Sequence, residues 1–133
     1  MTAVDTNVFV RLLTGDDAKQ AAATRRLFLT EQIWIAKTVF LETAWVLSSL
    51  YGFEEGAIRD AFAKVLGLKN VHVEDEPSMA TALMLVANGI EIADAMHLAS
   101  RPSGADFVSF DKVLVRRAKR ASVHRVAGIP VKE

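Results

Sequence analysis

The amino-acid sequence predicts an α/β protein, a three-layer α/β/α sandwich around a mainly parallel central sheet. Three observations carry that expectation. Short β-type runs alternate with longer helical ones along the chain, the pattern of strands joined by helical crossovers. Cap and stop residues punctuate the helical runs. Two acids, Asp5 and Asp111, end predicted strands, and ligands of such sheets bind beyond the strands' carboxyl ends. A chain of 133 residues is of ordinary size for one domain, so residues 1–133 are expected to form a single unit.

Thr2–Thr6 reads as the first strand, and Asn7 suits the start of a helix to Thr14 because its side chain can cap free N–H groups. Asp16 and Asp17 open a helix to about Thr30, acids at its positive end. Gln32–Ala36 is a short strand in which Ile33 and Ile35 alternate around Trp34. Thr38–Tyr51 is helical by its apolar spacing of three and four, and Gly52 ends it. Glu54–Leu66 is amphipathic and stops near Gly67, Val71–Val73 is strand-like, and Glu76-Pro77 begins a helix reaching Asn88-Gly89. A helix from Glu91 or Ile92 to Ser100 is broken by Pro102 and Gly104. Asp106–Phe110 is a strand, Lys112–Ala121 a basic helix, and Arg125–Ala127 a last short strand.

Composition narrows the function. Half the residues (51%) are hydrophobic and 24% are charged, as in ordinary soluble domains. With no cysteine, disulfides and thiolate metal sites are excluded, which fits a reducing cytoplasm. Met1–Asp5 lacks the basic region and apolar stretch of a signal peptide. No apolar run approaches the roughly 20 residues needed to cross a bilayer, so a cytoplasmic location away from membranes is expected. The 16 basic and 16 acidic residues cancel. From Lys112 onward, however, seven Lys or Arg face one acid, Glu133. Such a segment can hold phosphates on a neutral protein, because screening confines its field to about 8–10 Å. A solvated helix face is the alternative.

Four carboxylates stand out. Asp5 adjoins buried strand residues, where an isolated charge is costly; the alternative is a helix cap, for which Thr6 and Asn7 also serve. Glu42 lies in Val39–Leu47, apolar almost all round, and a buried Glu there needs a partner. Asp94, in Ile92–Ala99, is an acid in an apolar helix, and a first-turn acid serving the helix dipole would look the same. Asp111 stands where a strand hands over to a helix, which is also a cap position. Ser109, two residues back, points to the same side as Asp111 and can hydrogen-bond a carboxylate. Together these oxygen donors suit Mg²⁺ or Mn²⁺. Zinc would prefer His or Cys, and His72, His97 and His124 have no ligand-like spacing. His97, one turn after Asp94, reads as a packed helix histidine or a neighbour of the site. Tyr51 and the tryptophans read as core or surface aromatics.

The segments Val4–Val8, Glu42 in its apolar helix, Ile92–Ala99 and Ser109–Asp111 resemble the ordered acidic motifs of PIN-domain ribonucleases, over nearly the whole chain. Minimal domains of this size are similar to VapC-type toxins of toxin–antitoxin pairs. The resemblance implies a PIN-like fold and a Mg²⁺- or Mn²⁺-dependent endoribonuclease, a homodimer inhibited by a small VapB-like antitoxin. Carried over by position, Asp5, Glu42, Asp94 and Asp111 would form the catalytic and metal site. Thr6, Asn7 and Ser109 would stand beside it, Ser109 where Thr is commoner. Asp106 is an extra acid, read as a strand or surface residue. Arg11, Arg116, Arg117, Lys119 and Arg120 are the candidates for the RNA backbone. The alternatives are a PIN nuclease of RNA processing without an antitoxin and a non-catalytic metal-binding α/β interaction domain.

Overall fold

A computed structural model describes residues 1–132; Glu133, the acid at the end of the basic segment, lies outside the described residues. The elements run β1 (Thr2–Ala3), α1 (Thr6–Thr14), α2 (Ala18–Thr30), β2 (Ile33–Ile35), α3 (Lys37–Tyr51), α4 (Glu55–Leu66), β3 (Val71–Val73), α5 (Glu76–Ala87), α6 (Ile92–Ser100), β4 (Phe107–Ser109), α7 (Lys112–Arg120) and β5 (Val126–Gly128). Each strand is followed by one or two helices before the next, and every described pairing is parallel. The α/β architecture expected from the sequence is therefore present.

Pairing falls into two pieces, a sheet of order β1-β2-β3 and a pair β4-β5, where one sheet was expected. With strands of two or three residues, each ladder has few hydrogen bonds to extend it. The first strand is also shorter than its apolar pattern indicates. Asp5 takes the Val8 N–H on its side chain at 3.1 Å and the Phe9 N–H on its carbonyl at 3.1 Å, which starts the helix and ends the strand. Asp5 thus caps α1, in place of Asn7. The last strand begins one residue late because Arg125 has φ +62°, outside the extended region.

Three fully buried rings tie α1, α3 and α4 together. Phe9 and Phe40 meet edge-to-face with centroids 5.1 Å apart, Phe40 and Phe62 do the same at 5.0 Å, and Phe9 stacks on Phe62 at 5.6 Å. Around them Ile33 and Ile35 of β2 are fully buried. α5 packs along α6, and α3 packs on α1, α4 and α6.

The helix α3 corrects an expectation. Its apolar sequence reads as buried all round, yet only the face of Phe40, Thr43, Ala44 and Leu47 is buried, while Glu42, Trp45 and Leu50 are exposed. Glu42 is thus a surface carboxylate. At its other side Thr43 is fully buried and its hydroxyl has no hydrogen-bond partner among the described residues. Thr43→Val removes that unpaired group at constant shape and is expected to raise unfolding free energy by about 1 kcal/mol, measurable by urea denaturation.

Candidate active site

All four carboxylates of interest lie at or near helix N-termini. Asp5 is the N-cap of α1 and Asp111 the N-cap of α7. Asp94 is in the first turn of α6 and Glu42 in the second turn of α3. Positive helix ends favour such groups. Helices α3 and α6 run antiparallel where they pack: Lys37 Nζ reaches Ser100 Oγ at 3.3 Å, while Leu41 and Trp45 share a cleft with Glu91 and Ala93. Glu42 and Asp94 lie between these two anchor points along their helices.

The capping bonds leave part of each aspartate free. Oδ1 of Asp111 accepts from both Val113 N and Leu114 N at 3.0 Å. Asp5 accepts from Val8 N through Oδ1 alone. In both, Oδ2 makes no hydrogen bond among the described residues. A cap and a ligand are therefore compatible roles for the same side chain. Ser109 Oγ accepts from the Asp111 backbone N–H at 2.9 Å, so this hydroxyl sets the turn that aims Asp111, and its own proton stays available.

Asp94 is the group whose chemistry the fold alters. It is half-buried, and burial is the largest influence raising its pKa above the ordinary aspartate value, followed by the charges of Glu91 and Asp111. His97 and Arg117 pull the other way and do not prevail. Asp94 and Asp111 are thereby brought within each other's field, whereas Asp5 and Glu42 are not among the charges acting on Asp94. Among the described residues no group of three or more His, Asp or Glu side chains stands together as a metal-holding cluster. Bare carboxylates repel, and Asp5 and Asp111 turn to the N–H groups of their own helices.

Other expected residues divide. Thr6 is half-buried in the first turn of α1, beside Asp5. Asn7 and Arg11 line a cleft with Gln20, where Arg11 Nε donates to Gln20 Oε1 at 2.9 Å. On α7, Lys112, Arg116 and Lys119 line a cleft of about 320 Å³ against Gly128, and Arg117 and Arg120 line a different one. The cations of α7 thus form two stripes, not one patch. Arg125 is engaged by Asp106 at 3.0 Å, which makes Asp106 the surface residue expected. His97 is exposed, not packed.

Glu91 and Glu55 were not singled out from sequence. Glu55 Oε2 accepts the Ile92 N–H at 2.9 Å and so closes the start of α6. Glu91, three residues before Asp94, was legible as a same-face neighbour but reads equally as a helix boundary.

Parallel strands, helices leaving their carboxyl ends and a half-buried aspartate in the field of a second make this an α/β protein that carries acidic side chains at helix N-termini. The PIN domain family matches residues 2–120, and the chain belongs to that family. Its members are nucleases that generally use divalent metals. Comparison with curated proteins and with solved structures found no match. No described helix is long and apolar enough to cross a membrane.

Proposed function

We propose that this protein is a Mg²⁺- or Mn²⁺-dependent endoribonuclease, one PIN-like domain over residues 1–133, acting as the VapC-type toxin of a toxin–antitoxin pair. The observation that carries the nuclease reading is the half-buried Asp94 held in the field of Asp111 within a PIN domain. The toxin role and the VapB-like antitoxin rest on the motif resemblance, as do the homodimer and the cytoplasmic location.

The residues fit a hard divalent cation. The donor set is all oxygen, and Asp5 and Asp111 each keep one carboxylate oxygen free of its cap. Asp94 holds its proton more tightly than an ordinary aspartate, a cost that a cation would relieve. Asp5, Asp94 and Asp111, with Glu42, would hold the ion. When bound it supplies Lewis acidity at the phosphodiester and acidifies water. The chain's own part is positioning. Ser109 aims Asp111 through the turn, the first turn of α6 presents Asp94, and Lys112, Arg116 and Lys119 of α7 bind phosphates.

Lys112, Arg116 and Lys119 share a cleft that no acid lines among the described residues, so they form the phosphate-binding stripe. Each phosphate contact on a single strand contributes about 0.7 to the slope of log affinity against log salt. Replacing Arg116 and Lys119 by Ala is expected to flatten that slope by about 1.4, read by fluorescence anisotropy of a labelled RNA. An unchanged slope would assign these cations to the solvated face alone.

The central test is cleavage of total RNA in Mg²⁺, with and without chelator, by wild type and Asp94→Asn. Loss of cleavage in the variant and under chelation supports the reading. Equal cleavage by both proteins overturns it.

A further inference from the structure

Between the α5–α6 turn and α7 lies a cavity of about 460 Å³ lined by Glu55, Asn88, Gly89, Glu91, Arg117 and Arg120, within the roughly 300–1,000 Å³ range of small-ligand pockets. Glu91 and Arg117 both act electrostatically on Asp94, so the cavity opens beside the candidate active site. Its charges are held apart. None of the ion pairs among the described residues joins either glutamate to either arginine. Glu55 is engaged by the Ile92 N–H, and the Asn88 amide donates to the Met84 carbonyl at 2.9 Å. Among the described residues, the Glu91 carboxylate and the guanidinium groups of Arg117 and Arg120 share the cavity and make no hydrogen bond or ion pair there, Arg117 also lying in the field of Asp94.

We propose that this cavity seats a guanine base next to the cleaved phosphodiester, Glu91 accepting from its N1–H and exocyclic amine while Arg117 and Arg120 donate to O6 and N7. The inference rests on the ribonuclease reading and names the base that this site selects.

The chemistry favours guanine over other occupants. A phosphate would meet the two arginines but would be repelled by Glu91 and Glu55. Guanine offers two adjacent donors that match a carboxylate, and acceptors that match an arginine fork. Adenine has no adjacent donor pair, uracil has one donor between two acceptors, and cytosine has a single donor group on that edge. Single-stranded bases are read on these edges. The split of α7 supports the same assignment. Lys112, Arg116 and Lys119 line a cleft without an acid among the described residues, suited to phosphates, and Arg117 and Arg120 line the mixed cavity.

The experiment cleaves a randomised RNA pool in Mg²⁺ and sequences the fragment ends. It then compares one defined RNA with its counterpart carrying inosine, which lacks the amine, at the preferred position. Wild type is expected to enrich guanine at one position flanking the cut and to lose about tenfold in kcat/KM on inosine. Glu91→Gln should bring the guanosine-to-inosine ratio close to one, and Arg120→Ala should reduce the preference for guanine over adenine. Cleavage without base preference, or a ratio unchanged in Glu91→Gln, overturns the guanine seat and leaves the nuclease reading standing. If wild type cleaves no RNA, the nuclease reading fails, and titration with guanosine 5′-monophosphate followed by NMR decides the seat alone. Binding weakened by Glu91→Gln supports it, and no binding overturns it.

Discussion

Asp94→Asn is expected to lower metal-dependent cleavage by about 10²–10³-fold, the scale of losing one preorganised charged group, while raising the melting temperature of the protein at neutral pH. The two effects have one origin. Burial, then Glu91 and Asp111, raise the Asp94 pKa in the folded chain. A raised pKa means that the folded state binds this proton more tightly than the unfolded state. The resulting stabilisation is fully present below the unfolded value near 3.8. It is lost as pH rises through the raised folded value, so the ionised carboxylate is a net cost at neutral pH. Asparagine removes that cost. The gain in melting temperature should be greatest near neutrality and shrink as pH falls towards 3.8. Added Mg²⁺ or Mn²⁺ should stabilise wild type by mass action and leave Asp94→Asn little changed. Calorimetry across pH, with and without the ion, and the RNA cleavage assay read all three outcomes. A variant that cleaves normally would remove Asp94 from the site.

Asparagine is also the informative substitution at the capping aspartates. Asn caps helices about as well as Asp, so Asp5→Asn and Asp111→Asn test charge and metal holding without unmaking α1 or α7. Alanine would confound the two, at about 1 kcal/mol for each lost cap.

The largest effect on stability is expected from Phe62→Ala. Phe62 is fully buried between Phe9 and Phe40, so truncation removes a ring from contacts among α1, α3 and α4 and leaves a cavity that rigid helices cannot close. Such changes cost about 3–5 kcal/mol, against total stabilities of about 5–15 kcal/mol. Urea denaturation followed by circular dichroism should show the midpoint falling by that amount. A loss below about 1 kcal/mol would mean that the ring cluster does not hold these helices together. Because Asp5 caps α1 and α3 carries Glu42, this cluster also fixes how two of the candidate carboxylates are presented.

The residues differ in how much they disclose before folding. Apolar spacing and caps placed every helix among the described residues to within a few residues, because helix formation is governed by neighbours three and four positions away. Ile33 and Ile35 announced a buried strand and are fully buried. Asp5 misled at one point: its strand-like flanks are local, but the bond to Val8 N that ends the strand depends on which acceptor the chain presents first. Glu42 misled further. An apolar helix sequence cannot say how many of its faces find partners, and α3 leaves Trp45 and Leu50 exposed along with Glu42.

The α/β class, the order of helices and strands, the oxygen-only donors and the PIN-domain motifs reside in local pattern and composition and are legible in the amino-acid order alone. Which carboxylates act on Asp94 emerges from the folded arrangement. The influence of Asp111 and Glu91 on Asp94 and the division of α7 into two cationic stripes depend on the packing of elements distant in the chain. Electrostatic and desolvation energies follow separation in space and burial, and neither quantity is written in sequence order.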